Sequence, residues 1–265
     1  MPRWFSEGLA VYEERQAKTG WGGDLSTDFV QAFVDKKLPR ASQMNETFLR
    51  PASQQQLVHD YYQASLFIEF IVNEAGFDAI VQMLRGFELG HPFKRMVKDV
   101  LATSAQELDQ VFDRFMHKRL AQAALALDSN ESHSYPKLLA QARAAQDNDN
   151  TAEARTLLVE AMRLLPQHAD EDSAYWALSK LETAGLEPRA AAVTLESMVA
   201  VNADSLSAHQ ALADLYRKLN WPARERDSLE RALFVQPLDS QLHQRLADAY
   251  ETENNWASAA CARLR

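Results

Sequence analysis

The sequence predicts an all-α protein in two parts, on three observations. Apolar residues recur at three- and four-residue spacing through one segment after another, the period of a helix with a buried face. Ser, Thr and Gly punctuate those segments where helices start and stop. In the second half the pattern repeats every 34 residues, which is the mark of a solenoid built from one supersecondary unit.

With 265 residues and 29.9 kDa the chain is long enough for two ordinary domains, each with its own core. Apolar residues make up 46% and charged ones 25%, a globular composition. A net charge of −9 and a pI near 5.3 argue against a nucleic-acid partner, which wants a basic stripe. The longest strongly apolar run, Leu66 to Val72, is short and contains Glu69, so no membrane span is expected. Cys261 is the single cysteine, so neither an internal disulfide nor a cysteine zinc site can form, and it reads as a small semi-buried residue.

The first segment, Met1 to Glu13, carries Trp4, Phe5, Leu9, Ala10 and Tyr12 around Glu7, apolar on most sides and therefore expected as a buried helix. A carboxylate buried there without a partner costs several kcal/mol, so Glu7 should meet a cation, a metal or a cluster of donors. A glycine-rich loop, Thr19 to Asp24, closes this helix. Ser26 and Thr27 can cap a short amphipathic helix from Asp28 to Lys36. Leu38 to Ala52, holding Pro39 and Pro51, reads as a loop or short turns, with Arg40 and Asn45 solvated or else touching a substrate.

The strongest helix of this half is Ser53 to Glu74, ended by Ala75-Gly76. Tyr61 and Tyr62 lie where its polar beginning meets its apolar end, and His59 is expected on an exposed turn. Amphipathic helices follow from Phe77 to Phe87 and from Phe93 to Leu101. Ser104 with Glu107 forms a capping box at the head of a long helix through Leu108, Phe112 and Met116.

The string Trp4-Phe5-Ser6-Glu7-Gly8-Leu9-Ala10-Val11-Tyr12 resembles the third-ligand segment of gluzincin metallopeptidases, in the aminopeptidase and peptidase MA-like branches. Tyr62-Gln63-Ala64-Ser65 resembles the Y-x-x-S variant of the family's later tyrosine motif. The resemblance implies that Glu7 is a zinc ligand and that Tyr62 donates its hydroxyl to the oxyanion formed when zinc-bound water attacks a peptide carbonyl, with Tyr61 as the alternative if the register is off by one. The plainer reading leaves Glu7 as a helix-surface acid, or paired with Arg3, and both tyrosines as interfacial packing.

Two departures qualify the resemblance. Thermolysin-like members place an Asp one turn after the ligand Glu, where this chain has Val11. None of the seven histidines (His59, His91, His117, His133, His168, His209 and His243) forms an H-E-x-x-H pair, and all follow Glu7. The expectation is a fragment, the carboxyl-terminal helical part of a zincin-like peptidase domain spanning 1–127, inactive by itself, whose parent takes zinc and hydrolyses peptide or protein substrates. By the same resemblance the parent belongs to the bacterial cell envelope, periplasmic or exported.

Residues 128–134 are polar and read as a linker. The remainder, 135–265, resembles the tetratricopeptide family: units at about 135–168, 172–205 and 206–239, with an incomplete one at 240–265, and three extra residues after His168 that shift the phase. Leu212, Ala213, Tyr216, Leu229, Ala232 and Pro237 mark the most regular unit. Met162, Trp176, Trp221 and Trp256 are assigned to packing between helices. Such arrays bind peptides or protein partners along a groove. Two functions therefore stand side by side: part of a zinc peptidase carrying a protein-interaction region, or a non-catalytic adaptor working through its repeats.

Overall fold

The computed structural model describes residues 1–22 and 25–263. Among them it contains fifteen α-helices, one 3-10 turn and no strand. Two compact units divide the chain, Met1–Leu125 and Ala126–Arg265.

Unit 1 is built around α1 (Arg3–Ala17) and α4 (Gln54–Ala75). The first is amphipathic rather than enclosed: Trp4, Phe5, Gly8 and Tyr12 form one buried stripe at helical spacing, while Ala10 is exposed and Glu7 and Leu9 are half-exposed. The expectation of a buried α1 is corrected by that stripe. Rings of both helices meet others from α6 (Phe93–Leu101) and α7 (Ala105–Leu127): Trp4 lies 5.2 Å from both Phe67 and Phe93, and Phe67 lies 4.8 Å from Phe112, edge to face or tilted throughout. Phe5 reaches Phe87 of α5 (Phe77–Glu88) at 5.1 Å.

Capping follows the local sequence. Ser26 Oγ accepts from the Phe29 amide at the head of α2 (Thr27–Val34). Ser104 and Glu107 exchange reciprocal bonds of 3.2 and 2.9 Å, and the donors from Ser104 hold the Glu107 carboxyl below its ordinary range. Between α2 and α4 the segment expected as a loop instead forms the 3-10 turn Ala41–Gln43 and α3 (Met44–Leu49). Met44 and Phe48, one turn apart and essentially unexposed, supply a buried face too short to register as a period.

Unit 2 is a row of helix pairs: α8 (Tyr135–Asp147) with α9 (Thr151–Leu164), α10 (Ala174–Ala184) with α11 (Pro188–Val201), α12 (Leu206–Lys218) with α13 (Pro222–Val235), and α14 (Ser240–Thr252) with α15 (Trp256–Arg263). Each first helix ends at a residue in the left-handed region: Asp149, Leu186, Asn220 and Asn254, with φ of 57, 58, 57 and 59°. Their intervals of 37, 34 and 34 residues restate the sequence period and the three-residue shift. At every corner the next amide reaches back five residues to a helix carbonyl, as Trp221 does to Tyr216 at 2.9 Å.

Small residues let the paired helices approach. Ala154, Ala161, Ala191, Ala208, Ala213, Ala232 and Ala247 are all fully buried. Tyrosines join successive helices, Tyr216 donating to Glu196 at 2.5 Å and Tyr250 to Glu230 at 2.6 Å, one period apart. Met162, Trp176 and Trp221 pack against the core of α10 to α12 as expected. Trp256 does not, being 63% exposed, and Cys261 is exposed rather than semi-buried. Both lie on α15. No helix of the described residues is long and apolar enough to cross a membrane.

Candidate functional site

α1 meets α4 tightly at Gly8. A Cβ there would meet the carbonyl carbon, the Cβ and the carbonyl oxygen of Ala64 at 2.7 to 2.8 Å, so only glycine fits. The backbone of one helix therefore lies directly on the other, and the neighbouring side chains of both are brought to a common surface.

Glu7 is on that surface, half-exposed, with a carboxylate oxygen 3.5 Å from Nε of Arg3. The cation it was expected to need is thus one turn away on its own helix. Arg3 also lies 3.5 Å from the hydroxyl of Tyr61, and these two partners raise the guanidinium further above its ordinary value. Glu7 and Tyr61 consequently share one cation. Tyr61 is steadied edge to face by Phe48 at 5.2 Å.

Tyr62 is half-buried one position on, against other neighbours. Its ring meets Phe29 edge to face at 4.9 Å, and the Arg15 guanidinium lies over it at 5.6 Å. Arg15 donates to Ser65 Oγ at 3.2 Å and pairs with Glu69 at 3.1 Å, while Ser65 donates to the Tyr62 carbonyl at 2.8 Å. Glu69 takes a second cation, Arg119 of α7, at 3.1 Å. The Ser65 of the tyrosine motif is therefore a structural link tying α1 to α4.

Two buried polar groups in α4 were not anticipated. Asp60 is completely buried and neither carboxylate oxygen has a hydrogen-bond partner, so burial lifts its carboxyl from 3.8 to about 6. His59, expected to be exposed, is 9% exposed; it touches Gln55 at 3.2 Å and Phe29 edge to face, and burial lowers its pKa. The polar run Gln54-Gln55-Gln56 before them disguises the face they occupy. Only the packing of α2 and α3 on α4 buries it.

A groove of about 1050 Å³ opens beside α4, lined by Phe33, Leu38, Arg40, Gln63, Phe112 and His117 among others. Arg40 lines it, Asn45 does not. Gln63 Nε2 donates to the Pro39 carbonyl at 2.8 Å, and Asp109 of α7 holds Ser42 through both amide and hydroxyl, so the wall of the groove is pinned at both ends.

No family model matches this sequence, and no curated protein does. Among solved structures, one titled as the crystal structure of MamA is 18% identical, covering 57% of this chain and 82% of its own, with a TM-score of 0.42. A second MamA structure is 18% identical over 64% of this chain and 87% of its own, with a TM-score of 0.41. MamA 41-end from Desulfovibrio magneticus RS-1 is 15% identical over 76% and 91%, with a TM-score of 0.40. The row of helix pairs in unit 2 is described by the chain's own helices and by corners 37, 34 and 34 residues apart.

Proposed function

We propose that the chain is an interaction protein that holds protein or peptide partners on its helical array. The observation that carries this reading is the recurrence in unit 2: paired helices, a left-handed corner after every first helix and alanines at the crossings, an architecture whose extended surface is used for binding rather than chemistry. A peptide array probed with the full chain, followed by solution titration of the strongest sequences and hydrogen exchange of the complex, tests it. Saturable binding with protection in α8 to α15 supports the reading. Absence of saturable binding, or protection confined to unit 1, overturns it.

A second reading concerns unit 1: the third-ligand and tyrosine end of a gluzincin peptidase. One observation favours it. Gly8 of the W-x-x-E-G-x-A segment lies on Ala64 of the Y-x-x-S segment, so the two stretches that carry the resemblance, far apart in sequence, pack backbone to backbone. Taken alone, the residues present do not fit a zinc ion: Glu7 is a single carboxylate and belongs to no group of three ligand side chains among the described residues. Zinc would need two histidines from an H-E-x-x-H helix that this sequence does not contain.

Of the tyrosines, Tyr61 shares Arg3 with Glu7, whereas Tyr62 is engaged with Arg15 and Phe29. That favours Tyr61 as the hydroxyl donor to a substrate carbonyl beside Glu7. The test is the coding sequence upstream of Met1. If an H-E-x-x-H helix is encoded in frame, the longer product should bind one zinc, Glu7→Gln should release it, and Tyr61→Phe should cost about 100-fold or more in turnover. Unchanged zinc content in Glu7→Gln overturns the ligand role, and a loss confined to Tyr62→Phe returns the donor role to Tyr62.

A further inference from the structure

The loop between α9 and α10 is where the array loses its 34-residue register, and a cluster that the repeat does not require is found there. His168, Asp170 and Asp172 each bring one ligand atom to within 4.8 Å of the other two. His168 is 2% exposed, with Nε2 3.0 Å from Oδ1 of Asp172. Its Nδ1 is buried and has no hydrogen-bond partner. Asp170 is held by the side-chain amide of Asn202, 3.2 Å from Oδ1, and Asp172 is exposed, so the cluster has both a braced ligand and an open side.

Other buried rings in the array have a structural task. His209 and His243, one period apart, use Nε2 to bind the carbonyls of Ala203 and Pro237 at 2.8 Å, closing the loop before their own helices. One period before His209 stands Tyr175, and its hydroxyl does the same work, donating to the Pro166 carbonyl at 3.1 Å. The loop at 165–173 is therefore already closed without His168. What distinguishes His168 is that its Nε2 lies against the Asp172 carboxylate instead of a carbonyl, and the three-residue insertion supplies Asp170 within 4.8 Å of the pair.

From this we propose that His168, Asp170 and Asp172 form a site for a divalent transition-metal ion of the zinc class. One imidazole with two carboxylates is a borderline donor set that suits zinc better than calcium or magnesium, which prefer all-oxygen shells. The two carboxylate charges balance the dication, and the exposed side leaves room for water as a further ligand. Bound metal would fasten the α9–α10 loop at the irregular junction of the array. The proposal is independent of any zinc at Glu7.

The experiment uses the full-length, untagged chain, stripped with chelator and desalted, and titrated with zinc chloride by calorimetry. One zinc per chain should bind with a dissociation constant in the micromolar range or tighter, and saturating zinc should raise the unfolding midpoint by a few degrees. Asp172→Asn is exposed and should fold normally by circular dichroism while binding about tenfold more weakly or worse. Asp170→Asn should do the same, and His168→Gln should remove binding. Glu7→Gln should leave it unchanged, which separates this site from the peptidase reading. No saturable uptake at about 100 μM zinc, or an unchanged dissociation constant in the Asp170→Asn/Asp172→Asn chain, overturns the proposal.

Discussion

Replacing Asp60 by Asn should stabilise unit 1 at neutral pH and leave it nearly unchanged in acid. Asp60 is completely buried in α4 with both oxygens unpartnered, the nearby Thr47 hydroxyl spending its proton on the Met44 carbonyl at 3.1 Å. Burial lifts the carboxyl from 3.8 to about 6. The folded state thus binds the proton more tightly than the unfolded chain does, so stability falls as pH rises from about 4 through 6 and stays lower above that. A rise of that size corresponds to about 3 kcal/mol.

Asn keeps the shape and removes the charge. The gain over wild type should therefore approach about 3 kcal/mol at pH 7.5 and vanish near pH 4. Urea unfolding at the two pH values of the proteins with and without Asp60→Asn, each in a background with Trp21, Trp176, Trp221 and Trp256 replaced by Phe so that Trp4 of the unit 1 core supplies the fluorescence, measures it, and all other titrating groups cancel in the difference. An Asn chain no more stable than wild type at pH 7.5, or a gain of equal size at both pH values, would show that the carboxylate is not desolvated in the fold.

Gly8→Ala should destabilise unit 1 by about 1–3 kcal/mol in the same assay, because the added methyl meets the Ala64 backbone and the helix-propensity gain of about 1 kcal/mol does not offset it. Ala64→Gly should rescue little of this, since the carbonyl carbon and oxygen at 64 remain. In unit 2, Leu186→Gly should raise stability by up to about 1 kcal/mol in thermal unfolding, because Leu186 holds φ of 58° with its side chain 88% exposed and so loses no packing. Arg155→Ala should cost about 2–3 kcal/mol by leaving the Glu182 carboxylate, 5% exposed, with only the Thr194 hydroxyl, and Arg155→Ala/Glu182→Gln should recover part of it.

By itself the sequence determined most of the helices, several caps and the repeat, because each depends on residues a few positions apart, as Ser104 with Glu107, or on a period that recurs whether or not its neighbours are known; α3, only six residues long, escaped it. It also singled out Glu7, Tyr61 and Tyr62. What it could not supply was the geometry between segments. Glu7 proved to be half-exposed beside Arg3, Tyr61 and not Tyr62 shares that arginine, and Asp60 and His59 are buried because α2 and α3 close over a face that looks polar in the chain. The pairing of Glu7 with Arg3 is one turn long and was among the readings the sequence offered, whereas burial is set by whatever comes to lie against a group from elsewhere, and for Asp60 only the tertiary structure decided that no partner does.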